Sequence, residues 1–116
     1  MKIAMKGLAA AAMTALMATA SYAEPTKIGI ITTLSGGGAS LGVDARDGLL
    51  LALKKGGNDE IETVVEDDQQ KPDVAVQIAD KMIQSDKVDI LTGIIWSNLA
   101  MAVVPSATGQ GKFYLS

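Results

Sequence analysis

Residues Lys27 to Gly42, KIGIITTLSGGGASLG, constrain the fold most, because an apolar strand there runs directly into three consecutive glycines. Ile28, Ile30 and Ile31, with Thr32 and Thr33, form a β-branched run of the kind buried on both faces of a parallel sheet. A parallel partner requires a crossover helix. Gly36 to Gly38 let the chain turn tightly before one and leave room for something to approach the backbone.

The rest of the chain repeats this rhythm. Val43 to Lys55 reads as a helix with Leu49, Leu50 and Leu53 on one stripe, Lys54 and Lys55 near its negative end, and Gly56-Gly57 as its stop. Gly48 costs that helix about 1 kcal/mol relative to alanine, so a close contact with the sheet is expected there. Ile61 to Glu66 is a second strand, followed by the polar turn Asp67-Asp68-Gln69-Gln70. Lys71-Pro72 opens a second helix whose apolar face carries Val74, Ile78 and Met82 up to Gln84. A third strand spans Val88 to Thr92, and Gly93 to Asn98 is its exit loop. Ser97 or Asn98 can cap the helix from Leu99 to Thr108, which Pro105 should kink or shorten. Lys112 to Leu115 starts a fourth strand.

Alternating strands and helices with right-handed crossovers give an α/β fold, a doubly wound, Rossmann-like parallel sheet covered on both faces. The first strand is expected between the second and third. The loops Ser35 to Leu41 and Gly93 to Asn98 then line one crevice at the switch point.

Charge and composition narrow the function. Lys2 and Lys6 precede an apolar stretch from Gly7 to Ala20 and the small-residue pattern Ser21-Tyr22-Ala23, so residues 1–23 are expected to be a secretory signal cleaved after Ala23. That leaves residues 24–116 as one domain. All 13 acidic residues but only 8 of the 10 basic ones lie beyond Ala23, a net charge of −5 that disfavours nucleic acid as a partner. The absence of cysteine removes disulfides, a thiolate nucleophile, Cys-ligated metal and a lipid-modified cysteine anchor, so a soluble exported product is expected. Histidine is absent as well, which removes Ser-His-Asp and Cys-His catalysis. No catalytic residue, metal ligand or cofactor is assigned. Phe113 to Ser116 reads as the middle of a strand without a closing element, so a fragment of a longer protein is expected.

The glycine loop fails two phosphate-binding patterns on spacing. Gly36 and Gly38 begin a GxGxxG, but Leu41 stands where its third glycine belongs; Gly37 to Gly42 has P-loop spacing, yet Val43-Asp44 follow in place of Lys and Ser or Thr. What the loops offer instead is hydroxyls and N–H groups at two helix N-termini, an arrangement suited to a small carboxylate. Ser35, Ser40, Ser97 and Asn98 are the candidate donors, and the lone tryptophan, Trp96, can stack on the ligand body. Each has a plainer reading: Ser97 and Asn98 as helix caps, Ser35 and Ser40 as turn ends, Trp96 as a core or lobe-interface residue. Asp67 and Asp68 are adjacent carboxylates that an acid–base pair or a metal would need, but neighbours at a strand end usually point apart and stay solvated.

The stretches IGIITTLSGGGASLGVDARDGLLLAL, EDDQQKPDVAVQIADKMIQSDKVDILTG, IIWSNLAMAVVP and KFYLS, in this order and spacing, resemble the periplasmic solute-binding proteins of branched-chain amino acid type ABC transporters. The resemblance implies the N-terminal lobe of a two-lobe, type I periplasmic-binding fold. It also implies a non-enzymatic role: capture of a small carboxylate and delivery to an inner-membrane permease, with the full-length protein acting as a monomer. By the same resemblance Ser97 takes the ligand carboxylate, Trp96 and Leu41 touch the ligand body, and Asn98 stands beside them; Ser35 is a candidate from its loop position alone. GIIWSN leans toward aromatic acids, with leucine, isoleucine and valine as the rival ligands. Members are several times longer, so residues 24–116 would hold half a site at most. Two other functions fit the same pattern: a ligand-sensing lobe of a receptor or regulator, and an exported enzyme with a Rossmann-like half.

Overall fold

A computed structural model describes residues 23–116. The expected secretory segment, apart from Ala23, lies outside the described residues. Four parallel strands, β1 (Lys27–Thr32), β2 (Glu62–Asp67), β3 (Ile90–Thr92) and β4 (Phe113–Leu115), form one sheet in the order β2-β1-β3-β4. The first strand therefore lies between the second and third, as the doubly wound reading expects. Pairing sets Ile30 opposite Val65 and Thr92, and Gly29 opposite Val64 and Leu91.

Three helices cross between the strands: α1 (Ala39–Lys55), α2 (Pro72–Gln84) and α3 (Ser97–Gly109). The step from β1 to β2 runs opposite to the steps from β2 to β3 and β3 to β4. Right-handed crossovers therefore place α1 on one face of the sheet and α2 with α3 on the other. The α2/α3 face holds the main core: Ile31 and Leu91 from the sheet meet Ala75, Ala79, Met82 and Ile83 from α2 and Leu99, Val103 and Ala107 from α3. On α2 the buried stripe is rotated by one residue from the expected one, with Val74 and Ile78 only half-buried. The alanines win the inner positions because their small side chains let the helix approach the sheet and α3 closely.

Several boundaries differ from the sequence reading. A single 3-10 turn at Gly36–Gly38 winds directly into α1, so that helix starts at Ala39 and carries Ser40 and Leu41 in its first turn. Gly36 has φ of 71°, a conformation that glycine enters at little cost. The second strand runs one residue later than expected. The third is confined to Ile90–Thr92, since Lys87 has φ of 58° and the Val88 N–H bonds back to the Met82 carbonyl at 3.0 Å. Pro105 neither stops nor shortens α3. The carbonyl it leaves without a donor belongs to Met101, a residue 78% exposed.

The α1 side is thinner. Gly42 is the one fully buried residue of that helix, and Leu49, Leu50 and Leu53 are half-buried. Gly48 does not touch the sheet: it is exposed, and a Cβ there would meet nothing within 4 Å. The expected close contact is thus absent at Gly48 and present at Gly42. Gly48→Ala should accordingly stabilise the domain by about 0.5–1 kcal/mol through helix propensity and a less flexible unfolded chain. Urea unfolding would register this as a higher midpoint at unchanged slope, and an equal or lower midpoint would contradict it.

Candidate functional site

Three loops leave the sheet at the C-terminal ends of their strands: Thr33–Ser35 after β1, Asp68–Lys71 after β2 and Gly93–Trp96 after β3. Hydrogen bonds tie them together. Thr33, fully buried, donates its hydroxyl to Asp68 Oδ1 at 2.6 Å and accepts Trp96 Nε1–H at 2.8 Å. The directions follow from chemistry, since an indole nitrogen can only donate. Asp68 Oδ1 also accepts the Gln70 N–H at 2.8 Å, while Asp67 Oδ1 accepts the N–H groups of Leu34 at 2.8 Å and Gln69 at 2.9 Å.

The two carboxylates were expected to be solvated. Asp68 is instead fully buried and Asp67 half-buried, because each is a structural acceptor for the β1 exit loop and its own turn. That turn needs support: Gln69 and Gln70 both have left-handed φ, 52° and 58°, costing roughly 1–2 kcal/mol each. Partial burial opposes ionisation of Asp67. The Ser35 hydroxyl and the N–H groups of Leu34, Gln69 and Ser35 outweigh it and hold the carboxyl below its ordinary range. Ser35 thus stands beside Asp67, at the start of the 3-10 turn.

Trp96 is half-buried, and its ring presses on the glycine loop: a Cβ added to Gly38 would lie 2.7 Å from Trp96 Cζ2 and 3.5 Å from Gln70 Oε1. The helix that follows starts without a side-chain cap. Trp96 occupies the cap position, and its carbonyl accepts the N–H groups of Leu99 at 3.1 Å and Ala100 at 3.0 Å. Ser97 and Asn98 are the first two residues of α3, both exposed, and among the described residues neither donates a hydrogen bond to the protein. The capping role open to them in the sequence is therefore unfilled. Their N–H groups and side chains sit at a positive helix end.

Ser35 is exposed, as is Leu41, in the first turn of α1. All six sequence-chosen residues, Ser40 in the first turn of α1 included, stand at the end of the sheet where the strands finish. Two concavities among the described residues lie at the opposite end, around Glu24, Pro25 and Glu62, where the strands begin. Sequence reasoning missed Thr33, Asp68 and Gln70, whose link to Trp96 spans up to 63 positions of chain. The one available signal was the placement of two acidic residues at the end of a strand adjacent to β1.

The profile of the periplasmic binding proteins matches residues 25–116. This chain belongs to that family. Among solved structures it is similar to an ABC transporter substrate-binding protein from Sphaerobacter thermophilus, with 32% identity over 78% of this chain and 26% of that one, at a TM-score of 0.73. It is similar to a solute-binding protein of an ABC transporter from Rhodopseudomonas palustris BisB5 in complex with 3,4-dihydroxybenzoic acid, at 30% identity, TM-score 0.75, over 79% of this chain and 26% of that one. A third is an R. palustris solute-binding protein in complex with benzoate, at 36% identity, TM-score 0.69, over 73% of this chain and 25% of that one. No curated protein matches significantly. The chain thus spans about a quarter of the length of these structures. Its sheet and helices are part of a type I periplasmic-binding fold, and membership of the family implies an extracytoplasmic location.

Proposed function

We propose that this periplasmic binding protein chain contributes one wall of a site for a small aromatic carboxylate in an ABC transporter's solute-binding component. The observation that carries this reading is the start of α3. Ser97 and Asn98 present unclaimed donors at a helix N-terminus, immediately after an indole that is itself held by a hydrogen bond. The carboxylate sits on those donors, and the ligand ring lies against Trp96 with Leu41 and Ser35 at the rim. Two similar proteins bound to benzoate and 3,4-dihydroxybenzoic acid support an aromatic acid over a branched aliphatic one. The remainder of the site comes from a second lobe, whose closure an inner-membrane permease reads, and residues 1–23 direct export and are removed after Ala23.

The test grafts residues 25–116 onto the benzoate-binding R. palustris protein in place of the matching segment and titrates benzoate, 3,4-dihydroxybenzoate and leucine calorimetrically. Saturable binding of an aromatic acid is expected. Ser97→Ala should weaken it by roughly 10- to 100-fold, the loss of one hydrogen bond to a charged group. Binding of leucine alone would replace the aromatic reading, and an unchanged affinity in Ser97→Ala would remove Ser97 from the carboxylate seat.

A further inference from the structure

We infer that Thr33 and Asp68 are positioning residues that lock the Trp96 indole in one orientation, so that the exit turn of β2 acts on a ligand wall it does not itself form. The inference rests on the reading of Trp96 as part of that wall. Its evidence is a chain of two short bonds, Trp96 Nε1 to Thr33 Oγ1 at 2.8 Å and Thr33 Oγ1 to Asp68 Oδ1 at 2.6 Å. Both anchoring side chains are fully buried; the Thr33–Asp68 bond is shielded from water and the Trp96–Thr33 bond partly so.

The order of the chain matters. Asp68 orients the Thr33 hydroxyl hydrogen toward itself, which leaves a Thr33 lone pair for the indole N–H. Without a carboxylate oxygen at this distance the hydroxyl could rotate and meet the indole hydrogen with its own. Asp68 is placed in turn by the Gln70 N–H, within the left-handed Gln69-Gln70 turn. Local backbone strain of this kind persists where neighbouring bonds over-determine it.

Trp96 is also held sterically. Nε1 and Cζ2 lie on the same edge of the indole; the first bonds to Thr33 and the second packs against Gly38. That edge is turned into the protein, and the half-buried ring also packs against the core. A tryptophan has two side-chain torsions, and fixing this edge removes the freedom of both. A ligand then meets a preformed surface rather than one it must order on binding.

The single tryptophan makes this testable in the 116-residue chain without any ligand. A nitrogen–proton correlation spectrum should contain one indole N–H resonance, and it should exchange with solvent much more slowly than that of free tryptophan. Thr33→Val, which keeps the shape but removes the hydroxyl, should accelerate that exchange and lose most of the tryptophan near-ultraviolet circular dichroism. Thr33→Ser should restore both, with far-ultraviolet circular dichroism confirming a folded chain in each case. Asp68→Asn keeps an acceptor oxygen and should stay close to the parent, whereas Asp68→Leu should behave like Thr33→Val. A parent indole that exchanges as fast as free tryptophan overturns the inference whatever the variants do. It is overturned equally if Thr33→Val and Thr33→Ser give the same signal. Because no ligand enters these measurements, their failure is separate from a failure of the carboxylate reading, which the grafted protein tests alone.

Discussion

Gly42→Ala is expected to destabilise the domain by more than about 3 kcal/mol, at or beyond the upper end of ordinary overpacking. An ideal Cβ at Gly42 would lie 1.8 Å from the Thr33 carbonyl oxygen and 2.7 Å from its carbonyl carbon. Both are backbone atoms, so no side-chain rotation can relieve the contact. Either α1 lifts off the sheet or the β1 exit bends, and bending it moves Thr33, the group that holds Trp96. Urea unfolding followed by Trp96 emission should show a lower midpoint together with an altered folded-state spectrum. Gly37→Ala is the control. A Cβ there meets nothing within 4 Å, and the residue is exposed, so its midpoint should stay within about 0.5 kcal/mol of the parent. If Gly42→Ala matched that control, α1 would not be seated directly on the first strand.

Leu91→Ala should remove about 2–5 kcal/mol, a transfer loss plus the cost of the cavity it leaves. Leu91 is fully buried at the centre of the short strand β3, paired with Gly29 on one side and Tyr114 on the other. Its Cδ2 fills the space where a Gly29 side chain would stand: a Cβ on Gly29 would come within 2.7 Å of it and of Met82 Sδ. Truncation therefore opens a void between sheet and α2 that no neighbour can close without moving an entire element. Against the 5–15 kcal/mol typical of a folded domain, the expected loss is a large share of the total. Thermal unfolding should show it as a fall in midpoint of many degrees, and a shift of only a degree or two would mean that α2 collapses onto the gap.

Much of this organisation was legible in the residues. β-branched runs located the first three strands, the Phe113-Tyr114-Leu115 segment after a glycine turn located the fourth, and apolar periodicity located three helices. The alternation itself implied the order in which the strands pair. The errors came where local pattern and tertiary packing compete. Pro105 was expected to kink or shorten α3, yet the helix runs on through it to Gly109. Val74 and Ile78 looked like the inner face of α2, but Ala75 and Ala79 took it because close approach favours small side chains. Gly48 looked like the contact point of α1, whereas Gly42, one turn and a half earlier, is the residue pressed onto the strand end.

Composition and patterning by themselves narrowed the chemistry that these 116 residues supply: they hold no thiol or imidazole, carry a net negative charge, and their glycine loop departs from nucleotide-binding spacing. Periodicity also determined the α/β order, because helical and extended repeats are properties of neighbouring residues. Only the tertiary structure decided the state of the side chains at the switch point. Whether Asp68 is solvated or buried, and whether Ser97 caps its own helix or stays free, depends on groups from other strands arriving at hydrogen-bond distance. Those contacts join residues up to 63 positions apart, and a pattern read over a dozen residues carries no information about them.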